Sequence, residues 1–366
     1  MSSDATSARV SSDELLELLD REPKLLMVDV REPDEFADWQ IPHALNIPLA
    51  ELAQRLTEVP RDRRVVTICA KGLRALEAAE VLNSHGISSQ VLEGGMDAWA
   101  STYDTVEGNF GEATVVQVRR RGKGCLSYVV GAGSRAVVID PSRDLEQYRK
   151  VARHHGWRIT HVLDTHLHAD HLSGARELVA ATGAALWLNP ADPFTFAFTP
   201  VSDAMSIELK PGTHLVVSSV AVPGHTEGST MDQLSNDAIF TGDTLFLESV
   251  GRPDLADQAE AYAHHLFHSL HERVLPLPDE ITVFPAHYGP GVSVRAGAFV
   301  ARPLGSLRDE LAPLALAEDD FVKWAVAHVK DRPGNYKKIV RINAGEDVLN
   351  ADAAQLEVGP NRCAIA

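Results

Sequence analysis

Two α/β domains in tandem are what this sequence predicts: a parallel α/β domain, its sheet covered by helices, followed by a larger α/β domain richer in strands. Three observations lead there. At 366 residues the chain is too long for one ordinary core. Over roughly residues 12–101, apolar strand-like runs alternate with amphipathic helical runs, the rhythm of a parallel sheet. From residue 113 onward strands outnumber helices, and histidines fall just after strand ends.

The elements follow in order. Residues 11–20 read as a short amphipathic helix, with Leu15, Leu16, Leu18 and Leu19 set against acidic neighbours and Ser12 as its cap. "KLLMVDV" (24–30) is a buried strand and "RRVVTI" (63–68) a second. "RALEAAEVLNSHG" (74–86) is a helix stopped by glycine, and "SSQVLEG" (88–94) a third strand. The unit closes near "GGMDAWAS", giving a first domain over 1–101, and "TYDTVEGNFGE" (102–112) reads as a linker. The second domain, 113–366, opens on "ATVVQVRR", "LSYVVGAG" and "RAVVIDPS", which read as hairpin-like strands. "ITHVLDT", a helix from Ser173 to about Thr182, "AALWLN", "HLVVSSVAV", "QLSNDAIFTGDTLF" and "ITVFPAH" continue it, and "EDDFVKWAVAHVK" gives a packing helix in a C-terminal helical extension.

Composition narrows the function classes. The chain is 45% hydrophobic and 23% charged, a globular balance. Its formal net charge of -17 argues against nucleic acid, which needs a basic stripe, but leaves a small anionic substrate open. The three cysteines, Cys69, Cys125 and Cys363, are widely spaced and odd in number, so no disulfide framework is visible. The acidic start has no signal-like run and no apolar stretch reaches membrane-spanning length, so a cytoplasmic protein without a membrane partner is expected.

"TICAKGLRA" places Cys69 straight after an apolar strand and just before a helix, where backbone N–H groups and the helix dipole favour an anion. Gly72 lets the backbone curl, while Lys71 and Arg74 add positive charge, so a reactive thiolate or persulfide is expected. "VDVREPDEF", "IPHALNIP", "CAKGLR" and "LEGGMDAW", in that order, resemble a rhodanese domain. The resemblance implies Cys69 as the carrier of sulfane sulfur, with Asp29 and Arg31 supporting the loop. Trp39–Gln40 stand where that family usually has Gly-His, and His43 where it usually has glycine.

Four strand-end motifs carry the second chemistry. "THLHADH" gives His166, His168, Asp170 and His171; "PGHTEGS" gives His225; "FTGDTLF" gives Asp243; "FPAHYG" gives His287. Imidazoles and carboxylates on tight loops at strand ends can converge on one or two metals without distorting a sheet, with Gly224 and Gly242 letting the backbone come near the ion. The pattern resembles the αββα metallo-β-lactamase fold over roughly residues 113–300. The resemblance implies one of two chemistries for these residues, since both occur in that superfamily. Two zinc ions would serve thioester hydrolysis of the glyoxalase II type. One Fe(II) would take His166, His225 and Asp243 as a facial triad, with His168, Asp170, His171 and His287 as hydrogen-bond partners that orient the ligands.

The flanking segments "GKGCLSYVVG", "DTHLHADHLSGARELVAATGA", "GDTLFLESVGRPDLAD" and "PGNYKKIVRINAGE" together resemble the persulfide dioxygenases, also called sulfur dioxygenases. That resemblance implies one iron per chain, oxidation of a thiol persulfide by O₂ to sulfite and thiol, and Arg252 with Asp254 shaping the substrate side. Cys125 stands where such enzymes often have a cysteine, with no role assigned. The fusion fits the same reading, because persulfide would be common to both domains. The direction of sulfur flow stays open, as does the dinuclear zinc thioester hydrolase alternative, in which the rhodanese domain is regulatory. A homodimer is the candidate assembly. His264, His268 and His271, like His154, His155 and His161, are expected to be surface or packing histidines, and Cys363 to be exposed and idle.

Overall fold

The structure, a computed structural model, describes residues 8–364 except 204, 211–215, 290, 330, 331, 333, 350–352, 360 and 362. It divides into two compact units. One holds the chain up to Asp104 with Arg120–Lys123; the other holds Thr105–Arg119, Gly124–Glu357 and the segment from Asn361 on.

The first unit is a five-stranded parallel sheet in the order Arg9–Val10, Ser89–Leu92, Val65–Ile68, Leu26–Asp29, Leu45–Asn46. The three inner strands are those the apolar runs predict. The two-residue edge strands are too short to leave a periodic signal. Helices Ser12–Arg21, Pro33–Asp38, Leu73–Ser84 and Gly95–Trp99 accompany the sheet. The first helix is capped by Ser11 rather than Ser12: the Ser11 hydroxyl accepts from the Glu14 N–H while the Glu14 carboxylate takes the Ser11 N–H. This reciprocal pairing satisfies two donors that the helix end leaves open. Alternate faces of the sheet bury separate apolar sets, Val28, Val65 and Val91 on one and Met27, Val66 and Leu92 on the other.

The Asp29–Arg31 pair locks the corner where the Leu26–Asp29 strand ends. Both side chains are buried, and the guanidinium lies 2.6 Å from Asp29 Oδ2. It also donates to the carbonyls of Glu35 and Trp39, fixing the helix Pro33–Asp38 and its exit. His43, in place of a glycine, has φ 66, so it adopts the left-handed backbone that glycine takes without strain. Trp39 uses its indole N–H to reach the Gly122 carbonyl at 2.9 Å.

The second unit is a two-sheet sandwich. A seven-stranded sheet runs in the order Thr199–Pro200, Ala185–Leu188, Arg158–Leu163, Arg135–Ile139, Cys125–Ala132, Ala113–Arg120, Tyr103–Phe110. A six-stranded sheet runs Ser206–Glu208, Val216–Ala221, Thr230–Leu234, Ala238–Gly242, Thr282–Pro285, Arg302–Pro303. One core joins them, with Val115, Tyr128, Val137 and Leu163 from the first against Val217, Met231, Phe240 and Phe284 from the second. Residues 102–112, expected as a linker, instead contain the edge strand Tyr103–Phe110; its polar side chains, half-buried Asp104 and exposed Glu107 and Asn109 among them, hid a ladder partner. Of the expected strand at 214–222, residues 214 and 215 lie outside the described residues.

Helices Leu145–His155 and Ala175–Thr182 pack on the seven-stranded sheet, and Ala259–His268 packs with Glu318–Ala327. The first of that second pair runs on in a wide π-type turn over Ser269–Val274. Its histidines find ordinary partners, His264 and His268 in Glu318 and His271 in the Leu314 carbonyl. Among the described residues no helix is long and apolar enough to cross a membrane.

Removing one partner of a buried ion pair leaves the other charge stranded. Asp29→Ala is therefore expected to lower unfolding stability by about 3 kcal/mol, measured by urea denaturation. A loss under about 0.5 kcal/mol would show that the pair does not hold this corner.

Candidate metal centre and cysteine loop

Cys69 directly follows the strand Val65–Ile68 and is 2% exposed. The Gly72 N–H points at its sulfur, 3.1 Å away, and Gly72 has φ 93 at the start of helix Leu73–Ser84. The "GGMDAW" segment closes the loop from behind: Met96 N–H donates to the Cys69 carbonyl at 2.9 Å and Asp97 N–H to the Ala70 carbonyl at 3.1 Å. A Cβ on Gly95 would sit 2.1 Å from the Cys69 carbonyl oxygen, so only glycine admits this approach. The two basic side chains expected to add positive charge near the thiol each have an acidic partner. Arg74 forms a two-pronged pair with Glu35 at 2.7 and 2.8 Å, and exposed Lys71 lies 3.9 Å from Asp97. The sulfur accepts the Gly72 N–H, and Arg74 lies near enough to interact with it electrostatically.

In the second unit the strand Arg158–Leu163 delivers the loop 164–174, Ala238–Gly242 delivers Asp243, and Thr282–Pro285 delivers His287. Gly242, with φ 52, clears Thr165, whose hydroxyl a Cβ would meet at 2.5 Å. Gly224 clears the backbone of Leu266 in the same way.

Each of three groups has one polar atom held from behind and one left facing a common point. His166 Nδ1 is 2.9 Å from the Thr165 hydroxyl, which donates to Asp140. His225 Nδ1 donates to the Arg252 carbonyl at 2.9 Å. Asp243 Oδ1 takes His287 Nδ1 at 2.7 Å. That leaves His166 Nε2, His225 Nε2 and Asp243 Oδ2 buried without hydrogen-bond partners, the carboxylate oxygen 3.6 and 3.3 Å from the two nitrogens. All three lie within 4.8 Å of one another. Buried polar atoms are seldom left unpaired, and three converging ones with neutral imidazole and carboxylate chemistry fit a cation.

The charge states agree. Burial holds His166 and His225 below the usual histidine range, so both are neutral donors. Asp243 is pulled far below the carboxylate range: burial opposes this, but the charge on His287 outweighs it. Against its own burial, His287 is driven up by Asp170, 2.9 Å away, and by Asp243.

The other motif residues form two flanking groups. Asp170, His171 and His287 gather with Cys125, whose thiol lies 3.6 Å from Asp170 Oδ2. Burial lowers His171, and Asp170 stays ionised against burial through His287 and His171. His168 turns the other way, its Nε2 3.1 Å from Asp140 Oδ1, while its Nδ1 has no partner. Despite burial, Asp140 raises it to about 9. Arg252 is 2% exposed and its guanidinium lies on Asp254 at 2.7 and 3.0 Å; Arg332 holds the other side of Asp254. The Arg252 carbonyl touches the centre by accepting from His225 Nδ1.

Several residues of the site were not singled out from the sequence. Asp140, with φ 53, binds Thr165 and His168 together; its place in "VVIDPS", an acid at a strand end before proline, was the available signal. Asp192 takes the Leu167 and Gly228 N–H groups and the Thr226 hydroxyl, joining the first two metal motifs. Asn343, at the end of helix Tyr336–Asn343, donates to the carbonyls of His168 and His171 at 2.9 and 2.8 Å. Cys363, expected to be exposed and idle, is 4% exposed and grouped with Asp243 and His287. Sequence distance concealed it.

Comparison with known proteins matches residues 11–102 to the Rhodanese-like domain family and 120–287 to the Metallo-beta-lactamase superfamily. The chain is 34% identical over 162 residues to a hydroxyacylglutathione hydrolase of Methylococcus capsulatus, covering 43% of this chain and 59% of that one. A hydroxyacylglutathione hydrolase of Polaromonas is 30% identical over 198 residues, covering 54% and 73%. Persulfide dioxygenase ETHE1 of Bos taurus is 29% identical over 177 residues, covering 47% and 67%. The crystal structure of ETHE1 from Myxococcus xanthus superposes with a TM-score of 0.55 at 23% identity, over 67% of this chain and all of that one, which shows the fold.

Thr165→Val keeps the volume but removes the hydroxyl that links His166 Nδ1 to Asp140. It is expected to weaken divalent-metal affinity about 10- to 100-fold, read by chelator competition. Affinity equal to the parent would show that His166 needs no such support.

Proposed function

Because the chain belongs to the metallo-beta-lactamase superfamily and carries a Rhodanese-like domain before it, we propose that it is an iron-dependent persulfide dioxygenase. It oxidises a low-molecular-weight thiol persulfide of the glutathione type with O₂ to sulfite and free thiol, and Cys69 handles sulfane sulfur in the same pathway. The observation that carries this reading is the convergence of His166 Nε2, His225 Nε2 and Asp243 Oδ2, two imidazoles and one carboxylate, each unpaired and each fixed from behind. Such a facial set suits one iron with open positions. The likeness to persulfide dioxygenase ETHE1 and the sulfur-handling domain on the same chain support it.

A single Fe(II) held there would supply the redox step that lets a persulfide anion and O₂ react. The sulfane sulfur loses four electrons to O₂, one water is consumed, and sulfite, thiol and protons leave. The protein's own groups do the rest. Thr165 and the Arg252 carbonyl keep His166 and His225 in the tautomer with Nε2 forward. His287, between Asp170 and Asp243, is placed to hold a proton and keep Asp243 ionised. Arg252 and Asp254 brace this side of the site through their mutual pair. Asp29, Arg31, Gly72 and the 94–99 segment hold the Cys69 loop, while Lys71 and Arg74 anchor its flanks. Carrying both activities on one chain raises the effective concentration of persulfide for each. Three free thiols suit a reducing cytoplasm.

One rival has its own support. His168 Nδ1 is buried without a partner, and hydroxyacylglutathione hydrolases are equally similar, so a dinuclear zinc thioester hydrolase is the second reading. An oxygen-electrode assay with glutathione persulfide, joined to elemental analysis of the same preparation, separates them. About one iron per chain and O₂ uptake with sulfite release are expected, with uptake abolished by His225→Ala or Asp243→Ala. Cys69→Ser is expected to remove sulfur transfer yet leave uptake with the free persulfide largely intact. Two zincs per chain and no O₂ uptake would overturn the proposal in favour of hydrolysis.

A further inference from the structure

We propose that Glu357, from the C-terminal extension, is a positioning residue for the metal centre: its carboxylate takes the Leu172 N–H and so fixes the turn that carries Asp170 and His171. The inference rests on the metal reading above, whichever ion is bound. It adds a residue that the superfamily match over 120–287 does not reach.

Glu357 is 3% exposed, and its Oε1 accepts the Leu172 N–H at 3.0 Å across 185 residues of sequence. Its Oε2 lies 3.9 Å from the Arg143 guanidinium, which supplies an opposite charge. A carboxylate is costly to bury. A tail that needed only to cover the loop could do so with an apolar side chain, as neighbouring Leu356 does. The loop residues on either side are held from the same part of the chain. Asn343 donates to the His171 carbonyl at 2.8 Å and accepts the Ser173 N–H at 3.0 Å, while the Leu172 side chain packs on Ile339 and Ile342. Three successive loop residues are thus bonded to Asn343 or Glu357.

From Leu172 the contacts run on to the centre. It follows His171, whose Nδ1 lies 3.1 Å from Asp170 Oδ1. Asp170 Oδ2 is 2.9 Å from His287 Nε2, and His287 Nδ1 donates to Asp243 Oδ1 at 2.7 Å. Asp243 Oδ2 is one of the three unpaired atoms. A shift of the loop at Leu172 therefore moves the group that orients His287, and with it the carboxylate of the centre. Without Glu357, the Leu172 N–H becomes a buried donor lacking this acceptor, a cost that the loop relieves by turning away.

The test is cobalt(II) binding by the full chain in the absence of O₂, read by chelator competition and by the visible ligand-field bands. Glu357→Gln keeps an acceptor oxygen for Leu172, and Arg143→Gln removes only the ion pair; both are expected to bind cobalt like the parent. Glu357→Met has similar length and no acceptor, and Glu357→Asp keeps the charge but shortens the reach. Both are expected to bind about 10- to 100-fold more weakly, with altered bands. Parent-like affinity and bands in folded Glu357→Met, or in Glu357→Asp if the methionine variant does not fold, would show that the carboxylate only seats the tail and would overturn the proposal. An equal loss in Glu357→Gln would overturn it too, by assigning the effect to charge rather than to the bond with Leu172. Absence of cobalt binding by the parent would overturn the metal reading itself.

Discussion

Taking ionisable groups out of water costs several kcal/mol for each ion, even after relaxation, and this protein buries a dense set of them. His166, His168, His171, His225 and His287, with Asp140, Asp170 and Asp243, are each no more than 3% exposed. Such a cluster persists only if every proton has a defined place. Asp140 organises one half: it takes the Thr165 N–H and hydroxyl and faces His168. Thr165 in turn receives His166 Nδ1. Asp243 organises the other half through His287. Among the atoms this bonding leaves over, three lie within 4.8 Å of one another, and His168 Nδ1 stands apart from them. The centre is defined by where its hydrogen bonds stop.

The sandwich makes that arrangement possible without loops long enough to lose precision. His166, Asp243 and His287 each lie within a few residues of a strand end in one or other sheet, and the sheets share a single core. Asp192 then ties the 164–174 loop to the turn that carries His225, and Asn343 clamps the same loop from a helix far along the chain. The positions of the converging side chains are therefore set by rigid elements and corrected by a few polar anchors, the condition under which a site keeps its geometry.

Much of this was legible in the sequence because short-range patterns carry strong signals. The strand–Cys–Gly–helix run around Cys69 and the histidines after strand ends are local features with a direct physical reading. What escaped were contacts made across long sequence separations. Asn343 lies at the end of an amphipathic helix and Cys363 beyond it, and nothing local marks either as belonging to the centre. The edge strand Tyr103–Phe110 escaped for another reason: half-exposed, polar strands look like linkers until a partner is known. At the cysteine loop the sequence suggested charge from Lys71 and Arg74; both cations also have acidic partners, Asp97 and Glu35, and the sulfur accepts the Gly72 N–H as well. Residue type alone does not say which way a long basic side chain turns.

The central claim is that two imidazoles and one carboxylate hold a single redox-active ion, with His168 committed to Asp140 instead. Anomalous diffraction from crystals of the protein grown without O₂, recorded on both sides of the iron and zinc absorption edges, tests it most directly. The account predicts one iron peak about 2.1 Å from His166 Nε2, His225 Nε2 and Asp243 Oδ2, and none beside His168. Two zinc peaks, one of them ligated by His168 Nδ1, would contradict it.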